Sequence, residues 1–400
     1  MDTKIAGGIL LIVGTSIGGG MLALPMVTAE LGFFNSTMML VATWAVMTTS
    51  ALLMMEVNLW FPSRNNIITM AKETLGQWGA LVAWISYLLL LYALMTAYVS
   101  GGVALFDEIS GWFSMHLPLW LSAVLFILIF GYIVIKGIKP VDYVNRLLML
   151  TKLGSLFLLI FMTFPYLKLD SLTNGRLYWM TSTITVMLTS FGFANIIPSL
   201  RSYFNDDVKK LRLAVLIGSL IPLTCYILWN FVILGTLPRE GEGSLTFLMA
   251  GGGSATDLSI ALSHFLKNPS ITVLAHLFTV ICILTAFLSC SLGLVDFLSD
   301  GLKAEKSRYK SGLAYGLTFL PPLGIVLFKP GVFIQSFSYA GICAIVLVVL
   351  LPALMAWSGR YRKHYSTDAH YQVMGGKWLL SLIMLIALIV LVLSLWNMHK

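Results

Sequence analysis

The sequence predicts an all-α membrane protein: eleven transmembrane helices, ten of them forming a five-plus-five inverted repeat in which helices 1 and 6 are broken. Three observations predict it. Of 400 residues, 58% are hydrophobic and 10% are charged, whereas a soluble domain carries about 25% charged residues. Eleven stretches reach the ~20 largely apolar residues that a span needs. Helix-breaking residues interrupt the first and the sixth, in matching places of the two halves.

In order, the spans cover about 5–30, 36–60, 80–106, 119–138, 147–167, 180–204, 211–236, 271–298, 312–328, 333–356 and 377–397. Spans 1–5 make a first repeat (residues 1–167) and spans 6–10 a second (180–356). Span 11 (377–397) stands outside both. Five is odd, so the second repeat enters the membrane from the opposite side and is inverted. No cleavable leader is expected, because Lys4 is the only basic residue before the first apolar run and no small-residue cleavage site follows. The longest polar stretch, roughly 236–270, reads as a loop.

Charge gives the sidedness. With the N-terminus inside, the inner segments carry Lys4, Arg64, Lys72, Lys136, Lys139, Arg146, Lys152, Arg201, Lys209, Lys210, Arg212, Lys303, Lys306, Arg308, Lys310, Arg360, Arg362, Lys363 and Lys377, which is 19 of the 25 basic residues. The outer side keeps Lys168, Arg176, Arg239, Lys267, Lys329 and Lys400. This is the positive-inside pattern, and it puts the C-terminus outside. The net charge of +8 is read by membrane side, and no nucleic-acid partner is expected. Cys225, Cys282, Cys290 and Cys343 fall inside spans and read as small packing residues, not a disulfide framework. No metal or cofactor is expected.

Gly14-Thr15-Ser16-Ile17-Gly18-Gly19-Gly20 breaks the first span. Each glycine costs a helix about 1 kcal/mol against alanine, and irregular backbone survives in hydrocarbon only where protein or a wet cavity surrounds it. Thr189-Ser190-Phe191-Gly192-Phe193-Ala194-Asn195-Ile196-Ile197-Pro198 breaks the sixth. Paired interruptions in two halves point to a transporter's binding site. Free carbonyls end each first half, near Val13 and Ser190, and favour a cation. Free N–H groups open each second half, near Gly19 and Asn195, and favour an anion. Side by side they suit a zwitterionic amino acid, and Gly18, Gly19 and Gly20 let backbone approach its carboxylate. Glycines can also serve close helix packing, which is the reading for Gly7-Gly8 and Gly101-Gly102. Gly14-Thr15-Ser16-Ile17-Gly18 matches the G-x-S-x-G elbow of hydrolases, but lacks the strand before it, and an intramembrane hydrolase is set aside.

Ionisable residues inside spans are functional candidates. Lys152, near the inner end of span 5, either snorkels to the interface or places an ammonium where a related carrier would hold Na⁺, loading and releasing a proton. Glu56, near the inner end of span 2, either pairs with a partner or carries a proton. Asp296 reads as an interface residue and His276 as a hydrogen-bonded structural histidine. Thr285, Ser289 and Ser291 lie along the inner half of span 8. They bond backbone, or Thr285 and Ser289 line a cation position. Of Tyr87, Tyr92 and Tyr98 in span 3, Tyr98 sits near mid-span, where it packs or donates to a carboxylate.

Gly14-Thr15-Ser16-Ile17-Gly18-Gly19-Gly20-Met21-Leu22-Ala23-Leu24-Pro25 resembles the first-helix signature of the bacterial hydroxy/aromatic amino acid permeases, and within them the tyrosine-specific members. Thr189-Ser190-Phe191-Gly192-Phe193, the Lys152 region, Thr285-Ala286-Phe287-Leu288, Gly293-Leu294-Val295-Asp296-Phe297-Leu298 and Phe319-Leu320-Pro321-Pro322-Leu323 support the match, which covers essentially the whole chain. The resemblance implies a LeuT-type fold in a bacterial inner membrane. It implies import of an aromatic amino acid, tyrosine before others, with H⁺ as the coupling ion, spans 1, 2, 6 and 7 rocking against 3, 4, 8 and 9.

The expected assignment follows. Gly14, Thr15, Ser16, Ile17, Gly18, Gly19 and Gly20, with Ser190, Phe191 and Gly192, hold the amino acid's backbone. Phe191, Phe193, Asn195 and Tyr98 meet its side chain. Lys152 and Glu56 are the proton-coupling candidates, and Thr285 and Ser289 the cation-site candidates. The alternatives are a sodium-coupled or serine- or tryptophan-selective carrier of the same fold, and an amino-acid-binding channel or receptor. The sequence sets no oligomeric state.

Overall fold

The structure is a computed structural model of the chain. It describes all residues except 1–2, 63–64, 113, 115–116, 173–174, 176–179, 303–307, 366–370 and 399–400. Of the charges used for sidedness, Arg64, Arg176, Lys303, Lys306 and Lys400 lie outside the described residues.

Among the described residues every regular element is helical. The chain begins with α1 (Thr3–Ser16), α2 (Gly19–Thr28), α3 (Gly32–Leu59), the short α4 (Ile67–Leu75), α5 (Gln77–Trp112), α6 (Leu119–Ile135) and α7 (Ile138–Thr163). Next come α8 (Met180–Ser190), α9 (Ile197–Tyr203) and α10 (Val208–Thr236), then two short loop helices, α11 (Leu245–Ala250) and α12 (Asp257–Leu266). The chain closes with α13 (Pro269–Leu302), α14 (Arg308–Phe328), α15 (Phe333–Ala344), α16 (Leu351–Tyr361) and α17 (Gly376–Met398).

Among the described residues, eight helices are long and apolar enough to cross a membrane, nine if the bent pair α1 and α2 is one span. The expected spans 119–138 and 312–328 appear as the shorter apolar helices Leu119–Ile135 and Gly312–Phe328. At ~1.5 Å per residue, 17 residues reach about 25 Å, somewhat under the ~30 Å hydrocarbon core. The protein is a multi-pass membrane protein. Its spans differ in depth within the bundle: 67% of the apolar window in Phe333–Tyr361 is buried against 28% in Gly376–Trp396. Span 10 is therefore interior, and span 11 is on the periphery.

The two interruptions are not alike. Helix 1 breaks between Ser16 and Gly19 and turns by 53°. Helix 6 passes as one span, Thr183–Tyr203, without a bend above 40°. There α8 ends at Ser190, a 3₁₀ turn covers Gly192–Ile196, and α9 starts with Pro198 in its first turn. The 3₁₀ turn explains the difference, since the Ile197 N–H bonds the Ala194 carbonyl and spends groups that an open break would leave free.

Span 10 has its own irregularity. A π-helical stretch, Ile345–Leu350, joins α15 to α16. Pro352 has no N–H to offer Val348, four residues back. The hydroxyl of Ser50, from α3, donates to the Val348 carbonyl instead.

Candidate functional site

The bend in helix 1 leaves the carbonyls of Ser16 and Ile17 without helical donors, because Gly18 is extended (φ −154°, ψ −147°) and α2 restarts at Gly19. Two side chains meet them. The Tyr226 hydroxyl, from α10, lies 2.6 Å from the Ser16 carbonyl oxygen and 2.8 Å from that of Ser190, the last residue of α8. One phenol thus joins both interruptions. It carries a single proton, so the two carbonyls share it. The Lys152 ammonium, from α7, donates to the Ile17 carbonyl at 2.5 Å and to the Thr285 hydroxyl at 3.4 Å. Thr285 spends its own proton on the Ile281 carbonyl at 2.8 Å and keeps lone pairs for Lys152. Lys152 is 1% exposed, so it does not snorkel.

The glycines divide by surroundings. A Cβ on Gly19 would stand 2.9 Å from the Tyr98 ring and 3.0 Å from Phe337, and one on Gly20 would stand 2.6 Å from Ser190 Oγ. These two positions serve close packing at the break. A Cβ on Gly14 would meet Met149 at 3.2 Å, one on Gly18 only Ala286 at 3.7 Å, and one on Gly192 no described atom within 4 Å. Gly18 and Gly192 therefore have room beside their backbone.

Other predicted residues separate into those gathered at the break and those not. Phe191 is fully buried and sets its ring edge-on to Tyr226, with centroids 5.1 Å apart. Phe193 is also fully buried. Tyr98 is buried edge-on to Phe337 at 5.8 Å. The Ser16 and Ser190 hydroxyls turn back to their own helices, on Ile12 at 3.0 Å and Val186 at 2.8 Å. Thr15 is exposed and does the same, bonding Ile12 at 2.9 Å. Asn195 is exposed on the 3₁₀ turn, away from the buried Phe193. Ser289 is exposed and accepts from the Asn145 amide at 2.9 Å, while Thr285 alone of the two hydroxyls reaches Lys152. Ser291 bonds the Phe287 carbonyl and Asp296 is exposed. His276 Nδ1 lies 2.7 Å from Glu108.

Glu56 has a partner that the sequence did not reveal. Arg360, at the end of α16, grips it with Nε at 2.7 Å and Nη2 at 2.5 Å, and the Val373 N–H donates to the same carboxylate at 2.7 Å. Both side chains are almost wholly buried. Nearby, Arg201 of α9 reaches the Asn58 carbonyl in the last turn of α3 and, at 2.8 Å, the Phe61 carbonyl just after it, and pairs with Asp206 at 2.5 Å. Guanidinium groups from spans 6 and 10 thus hold one end of span 2.

The matching family description is the tryptophan/tyrosine permease family, and it covers residues 1–394. The chain belongs to the tryptophan/tyrosine permease family. The permease is 34% identical to tyrosine-specific transport system 1 of Haemophilus influenzae over 397 residues, covering 98% of this chain and 96% of the relative. It is 32% identical to a tryptophan-specific transport protein of Pseudomonas aeruginosa, over 90% of this chain and 87% of the relative. It is 30% identical to glutamine transporter 2 of Aliivibrio fischeri, over 98% and 99%. These relatives are transport proteins, so the permease is not an enzyme, and the G-x-S-x-G match in span 1 is incidental.

The permease's break carries two residues that sequence reasoning missed, Tyr226 and Trp229. Trp229 donates its indole N–H to the Met21 carbonyl at 3.1 Å. Their three-residue spacing puts them on one side of α10, but nothing in the sequence says that this side faces helix 1.

Proposed function

We propose that this permease imports an aromatic amino acid, tyrosine first, across a bacterial inner membrane in symport with protons, by alternating access. The observation that carries the reading is the buried Lys152 ammonium on the Ile17 carbonyl, at the bend of helix 1. A carbonyl end attracts a cation, and here the chain supplies one that can gain and lose a proton. Charged, Lys152 holds the break; neutral, it releases it. Thr285 steadies the amine, whereas Glu56 is spent on Arg360 and stays structural in this reading.

The first-turn N–H groups of α2, at Gly19 and Gly20, suit the substrate carboxylate, and the carbonyls shared by Tyr226 suit its ammonium. The open sides of Gly18 and Gly192 give it room. Tyr98, Phe191 and Phe193 bring rings to that neighbourhood and favour an aromatic side chain. Two of the relatives above carry tyrosine or tryptophan in their names, and the third is named for glutamine. The five-plus-five inverted repeat (1–167 and 180–356) of a LeuT-type fold, with the N-terminus cytoplasmic and the C-terminus periplasmic, completes the reading. The charge asymmetry supports the orientation.

The test is uptake of labelled tyrosine into proteoliposomes under an imposed pH gradient, with Na⁺ replaced by choline and the other amino acids as competitors. Accumulation that needs the pH gradient and not Na⁺, and that aromatic competitors suppress, is expected. Loss of uptake in choline retires the proton role of Lys152. Suppression by glutamine but not by tryptophan or phenylalanine retires the aromatic substrate.

A further inference from the structure

At the end of the bundle that the charge count places outside, a cavity of about 210 Å³ is lined by residues apart from the helix 1 break. One stripe of α5 supplies Ser100, Val103, Ala104 and Asp107, spaced three and four apart. The start of α6 adds Leu119 and Ser122, and the chain before α12 adds Ser254. One feature of this wall is unexplained by packing. Ser122 is 1% exposed, yet its hydroxyl has no hydrogen-bond partner among the described residues. Buried hydroxyls are nearly always bonded, and an exception calls for a missing partner. Asp107 adds a solvent-exposed carboxylate to the same cavity, and no salt bridge reaches it among the described residues.

We propose that this cavity is a second binding site, for a small organic ammonium with an apolar body. Asp107 takes the ammonium charge. Ser122, whose hydroxyl is an acceptor as well as a donor, completes its hydrogen bonds with Ser100 or Ser254. Val103, Ala104 and Leu119 face the apolar body. The volume is several times the ~30 Å³ share of one water, which suits an organic cation better than a bare ion. Because Ser254 belongs to the loop between α11 and α12, an occupant ties that loop to α5 and α6. This site is independent of the reading of the helix 1 break.

The test is calorimetric titration of the purified permease in nanodiscs with phenethylamine, which has an ammonium and a ring but no carboxylate. We expect one saturable site, weakened at least tenfold by Asp107→Asn and abolished by Ser122→Leu, which fills the cavity. Ser122→Ala removes only the unpartnered hydroxyl and should weaken binding a few-fold in a normally folded protein. A parallel titration with Na⁺ alone should show nothing at this site. The proposal is overturned by absence of phenethylamine binding, by binding that none of the three substitutions moves, or by a site that takes Na⁺ and rejects the amine. None of these readouts needs transport, so they stand apart from the uptake assay.

Discussion

Trp229 donates its indole N–H to the carbonyl oxygen of Met21, an acceptor left without a helical donor because Pro25 sits four residues further on. The arrangement recurs. Pro321 frees the Leu317 carbonyl, and the Tyr92 hydroxyl of α5 takes it at 2.9 Å. Pro352 frees the Val348 carbonyl, and Ser50 of α3 takes it. In hydrocarbon no water can substitute, and at these three prolines a donor from a neighbouring span takes the freed carbonyl. Trp229→Phe should therefore lower stability by about 1–3 kcal/mol, the cost of an unsatisfied buried acceptor. Pro25→Ala restores the missing N–H, so Trp229→Phe in that background should cost clearly less. Thermal unfolding of the four proteins of this double-mutant cycle in one detergent measures the coupling, and additive losses would refute the pairing.

Tyr226→Phe should separate the two interruptions. The variant keeps the ring contact with Phe191 but withdraws the one proton shared by the Ser16 and Ser190 carbonyls. We expect a stability loss of about 1–3 kcal/mol, together with a several-fold rise in the KM for uptake and a smaller change in Vmax. A variant with wild-type KM and lowered melting temperature would show that the hydroxyl serves folding alone.

The all-helical membrane character and both interruptions were legible in the sequence, because a ~20-residue apolar run and a glycine or proline inside it are local signals. Lys152 was legible for the same reason, as a lone charge in an apolar run. Facing was not legible around the breaks. Thr15 and Asn195 look poised for the site in the linear sequence, yet both are exposed. At Asn195 the 3₁₀ turn over Gly192–Ile196 resets the helical phase, since it advances ~120° per residue where an α-helix advances ~100°, while Thr15, ahead of the break, turns its hydroxyl back onto Ile12 of its own helix. Partners from distant spans were not legible either. Glu56 and Arg360 stand 304 positions apart, and no local pattern joins them.

That pair makes a sharp stability prediction. Removing one member of a buried ion pair strands the other charge, at a cost of about 3–5 kcal/mol, while replacing both by apolar groups of similar size is far milder. Glu56→Gln and Arg360→Met should each lower the melting temperature strongly. Glu56→Leu with Arg360→Met should recover most of it. The double variant also tests the structural assignment of Glu56. If it folds and still accumulates tyrosine under a pH gradient, Glu56 carries no proton; if it folds and loses only the gradient dependence, the carboxylate belongs to the coupling machinery.

Lys152 admits two opposite substitutions. Lys152→Met keeps the stem but removes the charge and the donor to Ile17. Lys152→Arg keeps a charge that does not titrate in proteins. If proton loading of this amine drives accumulation, neither variant can cycle it, and both should fail to concentrate tyrosine under a pH gradient. They should differ in another assay. The methionine variant mimics the neutral state and should still exchange internal for external tyrosine in counterflow, because exchange needs substrate movement but no net proton transfer. The arginine variant fixes the cation at the Ile17 carbonyl, holding the bend in helix 1, and should bind tyrosine while exchanging it at least tenfold more slowly. Wild-type accumulation by Lys152→Met under a pH gradient would remove Lys152 from the coupling path and return it to a packing role between α7 and α13.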